Sequence, residues 1–133
     1  MVIFEFNPTI YPRRLWVVKG NDNEFVKDKF CKRDGSDIDF YDNEDDNPSL
    51  CTVFGNIKER ETGNFGILVC IYEDVRLDHI AHEAYHIASE IFRDIGADHD
   101  FDNQEPAAYL VGWCAKCIAS ANESKHVMIP ATK

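Results

Sequence analysis

The sequence has little positive charge and lacks the features of a nucleic-acid-binding or membrane-spanning protein. Its 133 residues carry 14 Lys and Arg against 24 Asp and Glu, a formal net charge of −10. Binding to nucleic acid or to an anionic membrane surface needs a basic face, and a membrane-spanning helix needs about 20 apolar residues in a row. The sequence offers neither. We therefore expect no nucleic acid and no membrane among its partners.

The sequence also predicts neither a secretion signal nor a disulfide framework. The segment Met1–Asn7 lacks the basic stretch and long apolar run of a signal peptide. The cysteines number five, an odd count, and their spacing suggests no framework. Reduced thiols in the cytoplasm are the simpler interpretation.

The chain has no internal repeat and no linker rich in Pro, Gly or Ser, and its length suits one hydrophobic core. We predict a single domain over residues 1–121, with an acidic solvated loop at 34–47 and a loosely held tail at 122–133. A short amphipathic helix is predicted over Glu24–Phe30. Apolar segments rich in β-formers predict four strands, the last two joined as a hairpin. These are Val2–Phe6, Arg14–Val18, Leu50–Phe54 and Phe65–Ile71.

Two longer helices are predicted after these strands. From Asp78 to Ile95 the apolar residues recur every three or four positions, which indicates an amphipathic helix with one buried stripe. Asp78 is a candidate N-cap, and Gly96 follows the last turn, where helices commonly end. The second helix runs from Asn103 or Gln104 to about residue 121 and is apolar nearly all round, so we expect it to be buried. The predicted fold is α+β, a small, mostly antiparallel twisted sheet packed on these two helices.

The first of these helices contains His82-Glu83-Ala84-Tyr85-His86, an H-E-x-x-H motif. Residues four apart lie one turn above each other on a helix. Two imidazoles so placed can reach one tetrahedral zinc ion at ~2.0–2.1 Å. Glu83 is then placed to act as general base toward the attacking water. The bland alternative is a polar helix face with two ordinary histidines, and the helical context of the motif disfavours it.

A catalytic zinc site usually has three protein ligands and one open position. Ser89 and Phe92 stand where a metzincin has Gly and His, which excludes that ligand pattern. We favour Glu105, at the start of the second helix, over His99 in the preceding loop, because a rigid element holds a ligand better than a loop. Two of the residues that share the face of Glu105 are small, which would let the helices approach closely. They are Ala108, Tyr109 and Gly112.

The motif, the short loop and the segment Asn103–Tyr109 together resemble the gluzincin clan of zinc peptidases. In that clan two helices provide H-E-x-x-H and a glutamate ligand about twenty residues later, and here Glu105 follows His86 by 19 residues. Residues 14 to 119 are also similar to minigluzincins, small single-domain proteins of bacteria and their phages or mobile elements. The chain departs from the family at two positions. Gln104 stands where Asn often directly precedes the glutamate, and Tyr109 stands where larger members have Asp.

The resemblance implies a zincin-like domain that binds Zn²⁺ through His82, His86 and Glu105 and hydrolyses peptide bonds in a peptide or protein substrate. It implies that Glu83 accepts a proton from water and passes it to the leaving amine. Tyr109, one turn after the glutamate, is a candidate donor to the oxyanion, and its alternative role is a buried aromatic between the helices. Zincins present an edge strand just before the motif helix, where Phe65–Ile71 lies, and a peptide could pair with it.

Two other functions stay open. One is a metal-bound interaction module of a phage or mobile element that never cleaves, and the other is a scaffold without metal. Metal analysis separates the scaffold from the other two, and a cleavage assay separates the peptidase from the module. Because nearly all the chain forms the core, we expect a shallow, open site. The acidic segments 34–47 and 94–105 would attract cations and disfavour acidic peptides.

Overall fold

The structure, a computed structural model, describes residues 2–20, 22–40 and 51–123 and the backbone of 131–132. Residues 41–47 of the predicted acidic loop, and most of the predicted tail, lie outside the described residues. The described part contains six strands and three helices. The strands are β1 Val2–Asn7, β2 Arg14–Lys19, β3 Phe30–Lys32, β4 Cys51–Glu59, β5 Phe65–Ile71 and β6 Ala131–Thr132. The helices are α1 Asn23–Lys29, α2 Leu77–Ile95 and α3 Glu105–Glu123.

The strands form one mixed sheet in the order β3-β4-β5-β2-β1-β6. Three neighbouring pairs are antiparallel, namely β1 with β2, β3 with β4, and β4 with β5. The pairs β2 with β5 and β1 with β6 are parallel. The predicted α+β fold is confirmed, and so is the hairpin of β4 and β5. The expectation that Phe65–Ile71 is an edge strand is wrong, because β5 lies between β4 and β2 and is buried from Gly66 onward.

Helices α2 and α3 pack side by side on one face of the sheet. The predicted stripe of α2 is buried against it at Ile80, Ala84, Ile87 and Ile91. Its last residue, Ile95, is exposed because it lies in the last turn of the helix. The helix ends at Gly96, whose φ of 74° lies in the left-handed region that glycine tolerates best. Asp78 was expected to cap the start of this helix. Instead Arg76 is the N-cap, and its guanidinium bonds to the Asp78 carboxylate at 3.2 Å.

Helix α3 differs from the prediction that it is buried nearly all round. One face packs into the core with residues Leu110, Cys114, Cys117, Ile118 and Ala121. The opposite face, which carries Glu105, Tyr109 and Gly112, is exposed. In a layer of helices packed on a sheet, each helix buries only the face that meets its neighbours. An apolar sequence does not change that limit.

The other face of the sheet carries a second, smaller core. The rings of Trp16 and Phe30 are tilted by 52° with centroids 5.1 Å apart, and Leu68 and Ile57 pack with them. Val26 from α1 covers this cluster. The sheet is therefore buried on both faces, which explains why β2 and β5 are nearly continuous apolar runs.

The beginning of α2 is held by the end of α3. The Asn122 side chain accepts a hydrogen bond from the Val75 amide at 3.0 Å and donates one to the Val75 carbonyl at 3.1 Å. The Lys19 ammonium donates to the Asn122 carbonyl and forms an ion pair with Asp74 at 3.1 Å. The segment that leads from β5 into α2 is thus fixed by contacts to both a strand and a helix.

Candidate metal and peptide site

The two histidines of the motif meet on the solvent face of α2. Their Nε2 atoms are 3.1 Å apart, and the rings lie edge to face with centroids 4.7 Å apart. The His82 side chain is 67% exposed. The spacing of four residues produces this contact, since each side chain lies one helical turn from the other. The opposite face of the helix is fixed in the core, so the histidines have a defined direction outward.

The distance between the two nitrogen atoms tests whether the pair suits zinc. Two ligands at ~2.0–2.1 Å from a tetrahedral ion lie about 3.3 Å from each other. The observed 3.1 Å is close to that separation. It also suits a hydrogen bond between two neutral imidazoles, in which one ring donates and the other accepts. The pair therefore fits two of the four positions around a tetrahedral metal ion.

Glu83 lies on the side of α2 that faces the sheet. Its side chain is only 17% exposed, and Oε1 is 4.0 Å from His82 Nε2. With His86 and Glu90 it lines an open groove of about 310 Å³ between α2 and strand β4. The strand contributes Cys51, Thr52 and Val53 to the same groove. A carboxylate next to the two imidazoles thus lies inside the concave part of the site.

Strand β4 gives the groove an open edge. Strand β3 pairs only with Ile57–Glu59 of β4. In the described part of the chain, the segment Cys51–Phe54 has β5 on one side and no strand on the other. The register shifts between Phe54 and Ile57, where Asn56 adopts a φ of 59°. This bulge marks the point where the paired half of the strand changes to the half beside α2.

The structure does not bring a third predicted ligand to the histidine pair. Among the described residues, no group of three or more His, Cys, Asp or Glu side chains is arranged to hold a metal ion. Helix α2 continues for nine residues beyond His86, which carries the chain about 13 Å along the axis before α3 begins. Glu105 lies exposed in the first turn of α3. Its role as a ligand stays a prediction.

The other two candidates from the sequence also lie apart from the groove. The His99 ring packs on Phe101 at a centroid distance of 4.4 Å and lines a second groove between α2 and α3, together with Tyr85 and Val111. The Tyr109 side chain is 76% exposed on the solvent face of α3, so the alternative of a buried aromatic between the helices is wrong. Its role as an oxyanion donor stays a prediction.

Sequence reasoning missed Glu90 and Cys51. Glu90 follows His86 by four residues, so helical spacing could have placed it beside the motif. Cys51 gave no such signal, because its position depends on the packing of β4 against α2. Burial raises the pKa of the Cys51 thiol, and the nearby Glu83 carboxylate raises it further. The thiol therefore stays protonated at neutral pH and is a poor nucleophile.

Comparisons with known proteins found no match for this chain. No protein-family model matches the chain, and the searches of curated proteins and of solved structures returned no significant match. In the part of the chain that the structure describes, no helix is long and apolar enough to cross a membrane.

Proposed function

We propose that this protein is a zinc-dependent metallopeptidase. The observation that supports this most directly is the pair of imidazole nitrogens 3.1 Å apart, next to a carboxylate that lines an open groove. Ligand type, ligand spacing and the position of Glu83 agree with one chemistry, hydrolysis of an amide bond. The resemblance to the gluzincin clan supports the same function.

In this proposal His82 and His86 would hold the metal through their Nε2 atoms. A zinc ion at this position would act as a Lewis acid that polarises a carbonyl and lowers the pKa of water. Glu83 accepts the proton of the attacking water and donates it to the leaving amine. Its partial burial beside β4 keeps the carboxylate next to the space where a peptide would lie.

The open half of β4 supports a peptide or protein as the substrate. An extended peptide can pair with an unpaired strand through main-chain hydrogen bonds, which makes its binding largely independent of side chains. In this proposal Cys51–Phe54 is the edge segment that pairs with the peptide, a role that the resemblance to zincins implies for Phe65–Ile71. Because all five cysteines are free and buried, we also propose that the protein works in a reducing cytoplasm.

The test combines metal content with turnover. We expect the Glu83→Gln variant to keep the wild-type amount of zinc and to lose about 10²- to 10⁴-fold in cleavage of a peptide library. Glu24→Gln, an exposed change in α1 with the same loss of charge, should cleave at the wild-type rate. Wild-type turnover by Glu83→Gln would show that Glu83 is not the base.

One observation favours a second candidate, a metal-binding interaction module of a phage or mobile element without proteolytic activity. The histidine pair is exposed, and no third donor joins it within the described ranges. A site with two protein ligands leaves positions that a partner protein could fill. Zinc binding without cleavage of any peptide in the library would favour this candidate over the peptidase.

A further inference from the structure

We infer that Glu90 is a specificity-determining residue, which selects an extended peptide bearing a Lys or Arg side chain a few residues from the point facing Glu83. The inference rests on the proposed function for the idea that the groove receives a peptide. Its own basis is the contact of Glu90 with β4, the distribution of charge along the groove and the distance between its two ends.

Glu90 lies at one end of the groove, against Gly55 of β4. A Cβ atom built on Gly55 would lie 2.3 Å from Glu90 Oε2 and 2.8 Å from its Cδ. The carboxylate therefore lies directly against the strand backbone, at the bulge that ends the open half of β4. Any side chain at position 55 would displace it. Glycine at this bulge is what lets a carboxylate from α2 reach the strand.

The other end of the groove lies at Glu83 and Cys51, which line it together. From Glu83 to Glu90 the helix advances seven residues, or about 10 Å. An extended chain covers that distance in about three residues. Alternate side chains of a peptide paired with β4 point toward α2. A basic side chain two or four residues from the one facing Glu83 would therefore reach Glu90.

The charges in the groove favour a cation. The described lining consists of two carboxylates, one imidazole, and three side chains without formal charge at neutral pH, with no Lys or Arg among them. Glu90 Oε1 is 3.3 Å from an Arg93 nitrogen, so the carboxylate already forms an ion pair with a guanidinium. Arg93 is 75% exposed while Glu90 is 25% exposed. An exposed ion pair of this kind is weak, so an incoming basic side chain can share or replace it.

The experiment measures peptide binding without turnover. Acetylated and amidated heptapeptides of Ala and Val carry one Lys, norleucine or Glu, moved through the central positions. They are titrated into the Glu83→Gln protein at low salt, and binding is followed by amide chemical shifts. We expect the Lys peptide to bind about three- to fivefold more tightly than the norleucine peptide at the best position, with the Glu peptide weakest.

Three further variants in that background assign the preference to one carboxylate. Glu90→Gln should remove the preference for Lys over norleucine. Glu24→Gln, with the same change in net charge, should keep the preference. Arg93→Gln should increase it, since the competing guanidinium is gone. The same loss of Lys binding in Arg93→Gln and Glu90→Gln would indicate local disruption of the groove and overturn the inference.

The result of these binding measurements can be distinguished from the result of the cleavage assay that tests the proposed function. The inference is overturned if the peptides do not bind, if Lys is not preferred, or if the preference for Lys survives Glu90→Gln. Each of these outcomes counts against it even if the wild-type protein cleaves peptides. A preference that depends on Glu90 supports the inference, even if the protein with Glu83 intact cleaves none of them.

Discussion

Helices α2 and α3 have the same length, 19 residues, and pack against the same face of the sheet, yet the sequence predicts only one of them well. In α2 the isoleucine stripe contrasts with a polar face that carries His82 and His86. In α3 apolar and small residues surround most of the helix. The structure confirms the orientation of α2, whereas it exposes a face of α3 that was expected to meet its neighbour.

The difference shows what sets the rotation of a helix about its axis. A helix with one apolar stripe has a single low-energy orientation on a core. Where several faces are apolar, shape and side-chain volume decide which one packs. In α3 the face with Leu110, Cys114 and Ile118 is buried, and the face with Glu105 and Tyr109 lies in solvent. The sequence therefore predicts the orientation of α2 correctly and that of α3 incorrectly, and the roles of Glu105 and Tyr109 stay predictions.

The largest expected effect on stability follows from the difference between the buried face of α2 and the exposed face of α3. Ile87 of α2 is fully buried, whereas Tyr109 of α3 is 76% exposed. We expect Ile87→Ala to lower the free energy of unfolding by about 3 kcal/mol, through lost burial and a cavity. Tyr109→Ala should change it by less than about 0.5 kcal/mol. Urea denaturation measures both. Equal losses in the two variants would show that the exposed face of α3 has a packing partner, and the contrast between the helices would fail.

The affinity for zinc provides a second comparison between residues of α2 and α3. Removal of a zinc ligand should cost at least about 100-fold in affinity. We expect this loss for His86→Ala, and from the exposed position of Glu105 we expect less than about a twofold change for Glu105→Gln. Competition with a chromophoric chelator measures both affinities. A loss in Glu105→Gln as large as that in His86→Ala would establish Glu105 as the third ligand, as the sequence predicts, and would require α3 to move relative to α2.

Local patterns account for what the sequence predicted. Strand β5 has the predicted bounds, the stripe of α2 is buried, and Gly96 ends that helix with a positive φ. The open edge of β4 and the contact between Gly55 and Glu90 depend on how distant segments meet. They follow from the central position of β5, which pairs in parallel with β2 across more than forty residues of intervening chain. Periodicity carries no information about such pairings, and β3 has only three residues to signal its existence.

Asn122 makes the position of α2 depend on the end of α3. We expect Asn122→Ala to lower the free energy of unfolding by about 2 kcal/mol, because the Val75 amide and carbonyl lose their side-chain partner in a partly buried position. Amide exchange in the first turn of α2 should accelerate. Ser120→Ala, at a neighbouring exposed position, is the control and should change neither. Unchanged exchange in Asn122→Ala would mean that the strand contacts alone hold this end of α2.

The smallest expected effect concerns pH. The buried face of α3 contains two thiols where α2 has isoleucines. Burial raises the pKa of Cys114, and it raises the pKa of Cys117 to about 12 although the neighbouring Lys116 opposes the shift. In the unfolded chain both thiols ionise near pH 9. The unfolded state then binds fewer protons than the folded state, so stability is fully present below pH 9 and falls as the pH rises.

At pH 9.5 the expected loss relative to pH 7 is about 0.8 kcal/mol for each thiol. The double variant Cys114→Ala, Cys117→Ala should therefore flatten the stability curve between pH 8 and 9.5 by about 1.6 kcal/mol, as measured by urea denaturation with a reductant present. Ile87→Ala should lower the whole curve without changing its slope, because it removes no titratable group. If the double variant keeps the wild-type slope, the two thiols ionise equally easily in both states, and the buried face of α3 is more accessible to water than the packing implies.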